Sequence, residues 1–192
     1  MLYNVIKQIN WVDIFIVIIL FRVCYAAVNT GLPIEIFKIL GTISAIFLSL
    51  HYYSYFAGFV QKFAGIKSVS VGFYSLSSFA ILAILGYMVF LILRNFFSRL
   101  MSLETVTGLN RWLGLGLGII RGFLLSGLLI FMLVISGSGY FKTSIKDSYS
   151  GKFVFKIAPA TYGLLWKGVA SKFIPGAKFN KDVSEARTYL YQ

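Results

Sequence analysis

Apolar residues fall into four stretches, each close to the roughly 20 helical residues needed to cross hydrocarbon about 30 Å thick. Residues 39–61, 68–93 and 122–141 contain no Asp, Glu, Lys or Arg, and 12–28 is apolar apart from Asp13 and Arg22. The pattern predicts an all-α integral membrane protein with four transmembrane helices, at about 11–29, 32–50, 73–97 and 112–135. Asn29-Thr30-Gly31 supplies turn residues and Pro33 suits the first turn of a new helix, so the first two helices are expected to form a tight antiparallel hairpin. The aromatic run from His51 to Phe56 fits a headgroup-level belt, and 56–63 reads as a short helical piece lying on the membrane. Ser136 to Gly139 breaks the pattern and divides a four-helix transmembrane domain, 1–136, from a basic amphipathic C-terminal tail, 137–192. Past Pro159, residues Tyr162, Leu165, Trp166, Val169 and Phe173 form one helical stripe ended by Pro175-Gly176, as expected of a helix resting on a membrane surface. A helix packed on the protein's own loops would show the same stripe. Residues after Asn180 are polar and are expected to fray.

Composition strengthens this reading. The chain is 58% hydrophobic and 12% charged, with a mean hydropathy of +0.83, outside the usual range of a soluble domain. The net charge of +12 could suggest nucleic acid, yet half of the 18 basic residues follow Gly137, beside only three acidic ones. A basic tail next to membrane spans is better matched to anionic lipid headgroups, at about 1 kcal/mol for each nearby Lys or Arg. A phosphate-binding face would need a solvated domain to carry it, so nucleic acid is not an expected partner. The expected partners are a bilayer including anionic lipids, and either a second copy or another membrane protein. Cys24 is the only cysteine, which excludes an intramolecular disulfide and a cysteine-based metal site. Lys7 before an apolar run and Ala26-Ala27 after it imitate a signal peptide, but Asp13 and Arg22 favour a retained first helix. Lys7, Lys62, Lys67 and the tail on one side nearly balance Arg94, Arg99 and Arg111 on the other, leaving the orientation open.

Asp13, Arg22, Glu35 and Arg121 form the candidate intramembrane polar cluster, with Lys38 at similar depth. A charge at the centre of a spanning helix costs about 2.5–3.5 kcal/mol on an insertion scale, so deep charges need partners. Arg22 and Glu35 are nearly equidistant from the Asn29-Thr30 turn and are expected to pair. Such groups serve a solute or proton path on one reading and a structural latch on the other. Gly114, Gly118, Gly122 and Ser126 recur every fourth residue, and Gly41, Ala45 and Ser49 repeat the pattern on helix two. Small stripes let helices approach closely in lipid, and these two are expected to meet. A nucleotide-binding glycine loop fails on spacing, because Arg121 stands where the third glycine would be. His51 is isolated and Asp13 and Glu35 should lie near opposite membrane faces, so no catalytic residue, metal ligand or cofactor is expected.

Trp11-Val12-Asp13, Gly31-Leu32-Pro33-Ile34-Glu35, His51-Tyr52-Tyr53, and Gly108-Leu109-Asn110-Arg111-Trp112-Leu113-Gly114 through Arg121-Gly122 together resemble the colicin V production protein family. The likeness covers about residues 11–135. It implies a four-helix protein of the bacterial inner membrane, multi-pass and non-enzymatic, needed for production or export of a peptide toxin and for envelope function. It also marks Gly108, Asn110 and Arg111, at the opening of helix four, as motif residues, and brings no established catalytic residue. The family commonly places arginine before the hairpin glycine, where this chain has Thr30. A small oligomeric channel or transporter with a polar path through Arg22, Glu35 and Arg121 is the alternative.

Overall fold

Gly31 is the pivot of the longest helix. The computed structural model describes residues 10–64, 70–100, 108–173 and 178–191. Within α1 (Trp11–Ala64), Gly31 has φ 71° and ψ 178°, a left-handed conformation that glycine adopts without the strain of a Cβ. It separates an arm α1a, 11–30, from an arm α1b, 32–64, which begins with Pro33 in its first turn. Two further long helices follow, α2 (Val71–Leu100) and α3 (Gly108–Ile135).

The contacts fix how these pieces run. Along α3, a Cβ on Gly114 would meet Ala27 and Gly31, one on Gly118 would meet Ala27, and one on Gly122 would meet Leu20, so α3 is antiparallel to α1a. Arg121 reaches Glu35 and Phe131 reaches Tyr53, so α3 is parallel to α1b. The arms of α1 therefore fold back on each other at Gly31. Phe79 packs on Tyr53, and Gly86 on Ala45, making α2 antiparallel to α1b. Ile46, Leu50, Phe79, Ile130 and Phe131 are fully buried at the centre, whereas Val17, Phe21, Ile92 and Ile120 are exposed on the outside. Apolar residues on the outside as well as at the centre are what a lipid-facing bundle requires. Three helices, Trp11–Phe63, Val71–Phe96 and Gly108–Ile135, are long and apolar enough to cross a membrane, and no strand occurs among the described residues.

Several expectations are corrected. Residues 56–63 do not form a separate surface piece; they continue α1b to Ala64. The tail is not a lone stripe, because α4 (Gly139–Asp147) and α5 (Gly151–Leu165) precede it and α5 runs through Pro159. Val154, Phe155, Ala158 and Tyr162 of α5 are fully buried against the bundle, with Phe155 stacked on Phe131 and the α5 backbone lying over Gly127. A π-helical turn, Trp166–Ala170, leads to a short α6 (Ser171–Phe173), and its extra residue shifts the stripe so that Ala170 rather than Val169 is buried. Beyond Asn180 the chain forms α7 (Lys181–Tyr191) instead of fraying. Asn180 accounts for this: its Oδ1 accepts the Asp182 N–H as an N-cap, while its Nδ2 donates to the Leu50 carbonyl at 2.7 Å. Lys7, Lys67, the connection 101–107 and the Pro175-Gly176 stop lie outside the described residues.

Candidate functional site: a buried charge cluster at the hairpin

Glu35 sits just past the Gly31 break with its side chain fully buried. Lys38, one helical turn further on, brings Nζ to 2.7 Å from Glu35 Oε1, and from α3 Arg121 brings Nε to 2.9 Å from Oε2. The Arg121 contact is an ion pair with a misaligned N–H, and Nη2 donates to Oε1 at 3.4 Å. Thr30 closes the group. Its hydroxyl lies 2.8 Å from Glu35 Oε1 and 3.0 Å from the Ala26 carbonyl, and it accepts from Lys38 Nζ at 3.1 Å. Beside it, the Leu32 N–H, freed by the chain reversal, donates to Asn110 Oδ1 at 2.8 Å. One carboxylate thus holds two cations, and the same few residues fasten α1a, α1b and α3 at one end of the bundle.

The sequence-level cluster divides into three places. Glu35 and Arg121 are together. Arg22 is exposed on the outer face of α1a, so the expected Arg22–Glu35 pair does not form: equal distance from the turn gave equal depth, but helix rotation turned Arg22 away. Asp13 lies near the other end, where its carboxylate accepts from the Tyr149 and Ser150 backbone N–H groups, at 3.2 and 2.8 Å, and from the Ser150 hydroxyl. Asp13 therefore tethers the tail at the start of α5. Asp13→Ala is expected to cost about 1 kcal/mol, as for a lost helix cap, and to speed proteolysis around Ser150 while the bundle stays intact.

The stripes are also corrected. Gly114, Gly118 and Gly122 face α1a, whereas Gly41 faces Tyr87 and Phe90 of α2, and Ala45 lies under Gly86. They do not meet each other, because each is occupied by a helix running antiparallel to its own. Ser126 is fully buried, while Gly108 and Arg111 are exposed at the opening of α3. The residues missed as partners were Thr30 and Lys38. Lys38 stands three residues after Glu35, the spacing of neighbours on one helix face, and that signal was available in the sequence.

At the tail end, Tyr162 Oη accepts from the Asn180 N–H at 3.1 Å and lies 2.8 Å from His51 Nδ1, and His51 stacks on Phe47 and Trp166. Burial pushes the Tyr162 phenol above its ordinary range despite the opposing Asn180 bond, so it remains protonated and able to donate to the imidazole.

The sequence model described as colicin V production protein matches residues 12–159, more than half of the chain. The chain belongs to the colicin V production protein family. That span takes in nearly all of α1, the whole of α2, α3 and α4, and the first part of α5 with its buried Val154, Phe155 and Ala158, while Tyr162 and Asn180 lie beyond it. Together with the apolar helices it makes this a multi-pass membrane protein, of a family associated with colicin V production and not known as an enzyme family. Among curated proteins and among solved structures, none matches the chain.

Proposed function

We propose that the protein is a non-enzymatic, four-span protein of the bacterial inner membrane that supports export of a peptide toxin and envelope function, acting with a second copy or another membrane protein. A 54-residue helix would measure about 81 Å if straight, far beyond one bilayer, and the fold at Gly31 supports reading α1 as two spans. The tail would rest at the headgroups: Phe153, Leu164, Val169 and Phe173 are exposed on its outer surface together with Lys152, Lys167 and Lys172.

The observation that carries the reading is the complete burial of Glu35 at the centre of the charge cluster. Glu35 has no exposed surface, and two cavities formed by described residues, of about 510 and 420 Å³, both lack Glu35 and Arg121 in their walls. This favours a latch over a conduction path. The test uses the purified protein in vesicles beside export assays in cells lacking it. The expected result is no ion or solute flux from the protein alone, with toxin secretion restored by the wild type. Flux that disappears in Glu35→Gln at normal abundance would replace this reading with the channel.

A further inference from the structure

The α2 and α3 helices both pack on α1b but leave a groove between them. Its cavity, about 420 Å³, is floored by Ala45 and the small residues Ala80 and Ala83, and walled by Ile84, Leu125 and Met132. Two other wall residues, Tyr87 and Leu91, also line a small recess with Lys38 and Arg94, which sets these cations next to the groove at the hairpin end. Among the described residues, Lys38, Arg94, Arg111 and Arg121 stand at that end against Glu35, a positive excess. Lys38 and Arg121 are committed to Glu35. Arg94 donates through Nε and Nη2 to Asn95 Oδ1, at 3.2 and 2.8 Å, which leaves three of its five N–H donors for another acceptor.

We propose that this groove binds an anionic glycerophospholipid, with one acyl chain over Ala80 and Ala83 and the phosphate on Arg94 beside Lys38. The inference rests on the bundle lying in a bilayer and is independent of any export role. The space suits a single hydrocarbon chain, which fits within about 420 Å³. Charge decides between lipids, because a zwitterionic headgroup leaves the excess positive charge uncompensated while a net negative one neutralises part of it. The planar guanidinium matches two phosphate oxygens at once.

The test is lipid retention by the full-length protein, extracted from vesicles of equal phosphatidylglycerol and phosphatidylcholine and weighed by native mass spectrometry. Phosphatidylglycerol should be retained in preference. Arg94→Gln is expected to lower its apparent affinity about tenfold, the effect of one lost hydrogen bond between charged groups, while sparing phosphatidylcholine. Ala83→Phe, which fills a half-exposed groove, should remove bound lipid of both kinds without lowering the unfolding temperature. Equal retention of the two lipids, or an unchanged affinity in Arg94→Gln, would overturn the proposal. So would efficient disulfide formation between two copies of Ile84→Cys in a Cys24→Ser background, since that places a second copy over the groove.

Discussion

Glu35→Gln is expected to reduce stability and membrane accumulation more than any other single substitution in the cluster. Among the described residues the carboxylate is the one anion between Lys38 and Arg121, so its loss strands two cations in a buried site at once. Breaking a buried ion pair from one side costs about 3–5 kcal/mol. Arg121→Gln and Lys38→Gln should each cost less, because Glu35 keeps its other partner. Adding Arg121→Gln to Glu35→Gln should recover part of the loss, since one stranded charge goes with it. Arg22→Gln, on the outer face, should add independently to Glu35→Gln. Thermal unfolding in detergent and abundance in membranes read these effects; coupling between Arg22 and Glu35 would contradict the geometry.

The second large effect belongs to Gly118. A Cβ there would lie 2.3 Å from the Ala27 Cβ, well inside the 3.5–4.0 Å optimum for two carbons. Alanine ordinarily improves a helix over glycine by about 1 kcal/mol, yet Gly118→Ala should destabilise, and Gly118→Leu should prevent α1a from docking. Ala27→Gly removes the clashing atom and is expected to restore Gly118→Ala. Gly116 is an internal control two residues away: a Cβ there meets nothing within 4 Å, and Gly116→Ala should be neutral or mildly stabilising. Unfolding temperatures of these four variants decide the matter. Equal behaviour of Gly116→Ala and Gly118→Ala would remove the close α1a–α3 contact.

These two sites show what could be read from the chain alone. Hydrophobic runs of bilayer length determined the membrane class, because no other solvent suits so much exposed apolar surface. Asn-Thr-Gly followed by a proline determined the hairpin, because local backbone preferences act without help from distant residues. The same local character made the four-residue stripe on α3 legible as a packing surface.

What needed the tertiary structure was direction around each helix axis. Arg22 and Glu35 share a depth, but which cation meets the carboxylate depends on rotations of α1a and α3 that sequence spacing does not contain. The neighbour of each small-residue stripe depends on the same rotations. The tail was undecided because its apolar stripe suits a lipid surface and a protein surface alike; the bundle decided it by offering the Gly127 notch to α5 and the Leu50 carbonyl to Asn180. Sequence thus determined the terms that depend on neighbours along the chain, and the fold decided those that depend on which buried partner is nearest in space.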